Sequence, residues 1–117
     1  LDDWNTLRQR AAASYGRALA SSGLGLPEVV PYGTHVFHLY VVRTSDRAGL
    51  QQRLDAAKSQ HGFTSHSVHR QKAMADLGYG EGSFPVAEAL APQILSLPMF
   101  PELSDAQIDR IASAVTS

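Results

Sequence analysis

ADLGYGEGSFPVAEALAPQILSLPMFPEL, residues 75–103, sets a glycine-rich turn, a proline-started helix, a short apolar strand and a proline-bounded loop end to end. Gly78, Gly80 and Gly82 give the turn backbone freedom that other residues lack. Pro85 suits the first position of a helix, with Ser83 or Phe84 before it. Pro92 falls within the helix so begun. It would cost about 3 kcal/mol there unless the helix ends or kinks. Leu95, Leu97 and Met99 then alternate as a strand, and Pro98 and Pro101 restrict where its backbone can pair.

Beyond this stretch, Ser104-x-x-Gln107 is a capping box, and Ile108, Ile111, Ala112 and Val115 follow it as the apolar face of a terminal helix. Upstream, Leu1, Trp4, Leu7, Ala11, Tyr15 and Leu19 recur every three or four residues, one stripe on a helix of about five turns. Ser21-Ser22-Gly23 ends it, and Gly25, Pro27, Pro31 and Gly33 mark a loop. HVFHLYVVR, residues 35–43, reads as a central strand, with Phe37, Leu39 and Val41 on one face and His38, Tyr40 and Val42 on the other. Thr44 or Ser45 caps the next helix, Asp46 favours its dipole, and Leu50, Leu54 and Ala57 form its stripe. Residues 63–68 suggest a weaker strand, and residues 69–77 a short helix stopped by Gly78. The order α-β-α-β-α-α-β-α predicts an α+β fold in a single domain, residues 1–117. Its small, mostly antiparallel sheet has about three strands with helices packed on it. The expected core is Trp4, Leu7, Tyr15, Phe37, Leu39, Val41, Leu50, Leu54, Leu95, Leu97, Ile108 and Ile111.

Composition narrows the function. The 117 residues suit one domain, and 44% of them are hydrophobic. Only 18% are charged, a surface poor enough in charge to be covered in part by another domain or subunit. A net charge of −1 without a basic stripe argues against nucleic acid. No apolar run is long enough for a membrane span. The absence of cysteine excludes disulfides and thiolate metal sites and suits a cytoplasmic protein. Leu1-Asp2-Asp3-Trp4 is acidic and runs into an amphipathic pattern, unlike a signal peptide.

Three pieces in order, LDDWNTLRQRAAASYGRAL, HVFHLYVVR and ADLGYGEGSFPVAEALAPQILSLPMFPELSDAQID, together resemble the C-terminal small domain of the DegT/DnrJ/StrS family of sugar aminotransferases, which use pyridoxal phosphate (PLP). In the first piece Leu1, Trp4, Asn5, Arg8, Ala12 and Tyr15 fall on the family's pattern. In the second the shared core is His38-Leu39-Tyr40. The resemblance implies a fold-type-I enzyme that moves an amino group from glutamate to a keto group on a nucleotide-linked sugar or cyclitol. It also implies a homodimeric parent and a missing large PLP-binding domain, reached through the helix at residues 1–20. The family's histidine- and proline-rich run near the active site corresponds to residues 61–71 here, without its prolines. On that resemblance His66 and His69 are the candidate substrate-binding residues.

The chain itself offers no catalytic, cofactor-binding or metal residue. Its two lysines are Lys58, at a helix end, and Lys72, in the polar stretch HRQK. Neither has the apolar surroundings of a Schiff-base lysine. Glu81 makes the glycine turn a poor phosphate cradle. The expectation is therefore PLP in the parent and none on this chain alone. His61, His66 and His69 have the spacing for three imidazoles on zinc, but the run holds no carboxylate or thiolate, and polar surface is the favoured reading. His38 reads as a packed strand histidine bonded to backbone, Tyr40 and Tyr79 as core-rim residues, and Asp76 and Glu88 as a solvated helix face. The rival to an enzyme part is a free-standing or degenerate interaction domain of the same descent.

Overall fold

A computed structural model describes residues 1–60, 62 and 67–117. Helix α1 spans Asp2–Ala18, with Asp2 and Asp3 in its first turn and Arg17 in its last, each complementing the helix dipole. Its stripe divides in two. Ala11, Tyr15 and Leu19 are buried, whereas Leu1, Trp4 and Leu7 are exposed, Trp4 by 56%. Trp4 and Leu7, expected in the core, are therefore outside it, because the described residues leave that part of the stripe uncovered.

Strand β1, Tyr40–Arg43, pairs antiparallel with β2, Ile94–Leu97, in the register Tyr40↔Leu97 and Val42↔Leu95. All four of these residues are buried. The strand expected from residue 35 starts five residues late. Phe37 takes a left-handed φ of 49°, unusual for a bulky residue. Its N–H donates to Nδ1 of His35 at 2.8 Å in place of a ladder partner. Two buried residues, Phe37 and Tyr40, then lie three apart, and the alternation changes phase. Tyr40 and Val42 occupy the core positions expected of Leu39 and Val41; Leu39 is 52% exposed. His38 is exposed and Tyr40 lies wholly inside, both contrary to expectation.

The ladder continues on both sides through single antiparallel bridges, Gly25↔Arg43 and Gly62↔Ser96. The weaker strand expected from residue 63 lies outside the described residues as far as 66, and Val68 instead opens a 3-10 turn, Val68–Arg70. A second, Lys72–Leu77, ends at Gly78, whose φ of 75° is readily available only to glycine. Together they replace the short helix expected there.

Helix α2, Arg47–Ala56, is capped by Asp46, not by Thr44 or Ser45: its carboxylate accepts from Gly49 N–H at 3.0 Å. Thr44 Oγ1 supports that cap by accepting from Asp46 N–H at 3.1 Å. Helix α3, Pro85–Leu90, starts on its proline and stops before Pro92, so the ring never enters a helix interior. Arg47 Nη1 donates to the Ala91 carbonyl at 2.7 Å, satisfying an acceptor at that helix end. Helix α4, Asp105–Thr116, has the complete Ser104/Gln107 capping box.

The core is one cluster between the Tyr40/Val42/Leu95/Leu97 face of the sheet and α1, α2 and α4. It contains Tyr15, Leu50, Leu54, Ile108, Ile111 and Val115. Tyr15 stacks on Tyr40 with ring centroids 4.7 Å apart and donates its hydroxyl to the Pro98 carbonyl at 2.8 Å. Burial pushes both phenols above the ordinary tyrosine value, and at Tyr15 the neighbouring Tyr40 adds to the shift. At the start of α4, Asp105 accepts from Arg10 at 3.1 Å and from Ser14 at 3.0 Å, and Arg10 also donates to the Leu103 carbonyl. This antiparallel sheet flanked by helices is the expected α+β architecture, with two strands among the described residues.

Candidate functional site

The segment opened by Val68 folds back on itself. Gly78 turns the chain, and Gly80 N–H donates to Ser83 Oγ at 3.1 Å. Gly82, at φ 85°, aims its N–H between the two carboxylate oxygens of Glu88, at 3.0 and 2.9 Å. Pro85 starts α3 directly afterwards, which puts Glu88 early in the helix with its side chain reaching back to the turn. The same carboxylate meets His69: Nε2 to Oε1 is 3.1 Å. The two side chains are only 8% and 16% exposed.

Around this polar knot the surface is apolar. The His69 ring is 4.8 Å from that of Phe84, which Tyr79 meets edge-on at 5.0 Å. Val68, Met74, Leu77 and Ala87 complete a pocket of about 360 Å³, with His69 in its lining. Val68, Leu77, Tyr79 and Phe84 are all exposed beside it. The hydrogen bond with His69 holds the Glu88 carboxyl below the ordinary carboxylate value. Desolvation opposes this, and the Gly82 N–H and the electrostatic attraction of His69 and Arg70 add to it. An imidazole fixed beside an apolar concavity can exchange one hydrogen bond with a polar group while the walls hold an apolar one.

The structure thus treats the two candidate histidines differently. His69 is at the centre of this knot, not on polar surface. His66 lies outside the described residues, as does His61, so the zinc alternative has one member in view. Among the described residues no group of three His, Cys, Asp or Glu side chains could hold a metal. Glu88, expected on a solvated face, is the residue that sequence reasoning missed. The available signal was a glutamate early in a proline-started helix, six residues beyond a glycine turn, where a carboxylate reaches back to unpaired amides. Tyr79 is half exposed at the pocket rim.

The described residues do not fit PLP. Lys58 and Lys72 are both exposed. The amides of Gly80 and Gly82, which a phosphate would need, already donate to Ser83 and Glu88. No helix among the described residues is long and apolar enough to cross a membrane.

The profile of the DegT/DnrJ/EryC1/StrS aminotransferase family matches residues 1–116. The chain is 42% identical over 118 residues to the dTDP-3-amino-3,4,6-trideoxy-alpha-D-glucose transaminase of Streptomyces venezuelae, covering 98% of this chain and 31% of that protein. It is 41% identical over 117 residues to the erythromycin biosynthesis sensory transduction protein EryC1 of Saccharopolyspora erythraea, covering 98% of this chain and 32% of that one. Among solved structures, S. venezuelae DesV in complex with a ketimine intermediate superposes with a TM-score of 0.88 at 41% identity, over 98% of this chain and 32% of that chain. The chain spans about a third of the length of these relatives.

Proposed function

Because the chain belongs to the DegT/DnrJ/EryC1/StrS aminotransferase family, we propose that it forms the small domain of a PLP-dependent sugar aminotransferase. The parent transfers an amino group, with glutamate as donor, to a keto group of a nucleotide-linked sugar or related cyclitol. The match to S. venezuelae DesV carries this reading: the whole of this fold is about a third of a chain solved in complex with a ketimine intermediate. The exposed Trp4 and Leu7 support the placement of residues 1–20 as the helix joining the large domain. PLP belongs to that large domain, since the described residues here do not fit it. The parent is a cytoplasmic homodimer, and the small domain closes over a site built elsewhere.

In that role His69 contacts substrate from the small-domain side. His66 is a second contact on the sequence resemblance alone. His69 is already oriented and lines a concavity, and this supports it over a surface histidine. The lack of fit to PLP favours one alternative, a non-catalytic interaction domain of the same descent.

Purification of the native protein separates the two. The enzyme reading expects an intact mass well above that of this chain, the visible absorbance of bound PLP, and amino transfer from glutamate to a keto nucleotide sugar. A native mass equal to this chain, without transfer activity, sinks it in favour of the interaction domain.

A further inference from the structure

We propose that Glu88 is the positioning residue of His69. It keeps a proton on Nε2 and fixes the ring plane, so that the ring, when neutral, offers Nδ1 as an acceptor to a hydroxyl or amino group of the substrate. The inference rests on the reading of His69 as a substrate contact and names the chemistry of that contact.

Glu88 is not a chance neighbour. Its carboxylate is gripped from the other side by Gly82 N–H, which reaches both oxygens, and the left-handed turn at Gly82 aims that amide. A carboxylate held this way presents Oε1 to Nε2 at 3.1 Å in a largely buried setting. Free rotation, which drains most surface pairs of their energy, is already lost. An ionised carboxylate only accepts hydrogen bonds, so the imidazole nitrogen facing it must carry a proton. In the neutral ring the proton on Nε2 leaves a lone pair on Nδ1. Among the described residues no side chain or backbone group bonds Nδ1, and His69 is part of the lining of the apolar pocket, beside Phe84. A single acceptor in an otherwise apolar concavity selects a donor on the ligand, because an unpaired polar group there is costly.

The test uses the full-length enzyme that carries this chain, with the keto nucleotide sugar as substrate. Histidine is labelled with 15N, the His69 signals are assigned with H69A, and the tautomer is read from long-range proton–nitrogen spectra. Glu88→Gln retains an oxygen toward Nε2. Glu88→Met fills the same volume without an acceptor. The wild type and E88Q are expected as the Nε2–H tautomer, and E88M as a mixture. E88M should raise the substrate KM about tenfold, the order expected for one lost substrate hydrogen bond. Its kcat should stay within about twofold, the pattern of a lost binding contact. E88Q should recover most of the loss, and E88M should add nothing to H69A. A Nδ1–H tautomer in the wild type, a pure Nε2–H tautomer in E88M, or additive KM effects in the double variant overturns the positioning role. An H69A enzyme with unchanged KM instead overturns His69 as a substrate contact, whatever its tautomer.

Discussion

The Tyr15–Tyr40 face of the core and the His69–Glu88 knot are both largely buried and both contain hydrogen-bonded polar side chains, yet they are held in opposite ways. In the core, apolar area dominates: Val42, Leu95 and Ile108 are fully enclosed around two stacked rings, and one hydroxyl finds the Pro98 carbonyl. At the knot a carboxylate, an amide and an imidazole hold one another, and the apolar side chains beside them face outward. The first arrangement stabilises the chain. The second orients a side chain at a surface that the described residues leave uncovered. Substitutions should therefore separate stability from binding according to region.

The core should give the largest stability effect. Leu97→Ala removes a buried side chain from the central ladder opposite Tyr40. It should cost about 2–5 kcal/mol in urea unfolding, and a loss under about 0.5 kcal/mol would place Leu97 at the surface. Tyr15→Phe comes next. It keeps the ring stack and strips one partner from the Pro98 carbonyl, a loss of about 1–2 kcal/mol. Tyrosine burial also gives the core an alkaline weakness. Both phenols ionise less readily folded than unfolded, so their stabilising contribution is complete below the ordinary value of 10.0 and falls as pH rises above it. The Tyr15→Phe chain should lose stability less steeply above that pH.

The knot should respond at the other end of the pH scale. Glu88 ionises more readily folded than unfolded, so its contribution is present above the ordinary value of 4.5 and is lost as pH falls through the depressed folded value. Protection of the Gly82 and Glu88 amides against hydrogen exchange should fall in that acid window, with the α4 amides still protected. Simultaneous loss in both regions would show that the knot is part of the cooperative core.

The legibility of these regions in the sequence follows from the range of the forces involved. The capping box at Ser104 and Gln107, the proline start at Pro85 and the Leu95/Leu97 alternation are local and appear in the structure as read. Leu39 and Val41 were misplaced because one left-handed residue, Phe37, shifts a period-two pattern without changing its letters. Glu88 was misread because its partners, Gly82 and His69, lie 6 and 19 residues away, and no periodicity records a contact across a turn. His69 was picked out by resemblance; its burial was not visible in a polar run. The stripe of α1 was read correctly as a stripe, but periodicity names the apolar face and not the surface that covers it.

That last distinction yields the smallest effect in this chain. Trp4 and Tyr15 lie on the same stripe of the same helix, three turns apart, and only Tyr15 meets the core. Trp4→Ala should therefore change the unfolding free energy of the 117-residue chain by no more than about 0.5 kcal/mol, as for an ordinary surface substitution. In the full-length protein the same substitution should cost several times more, because a buried aromatic side chain is worth about 3–5 kcal/mol when truncated. Denaturant titrations of both proteins, with and without the substitution, measure the difference. If the two losses are equal and small, the first turns of α1 are a free surface and the joining role of residues 1–20 fails. If they are equal and large, Trp4 belongs to the core of this chain after all. A loss confined to the longer protein shows that the exposed half of the stripe is the buried half of an interface, completed by residues outside this fold.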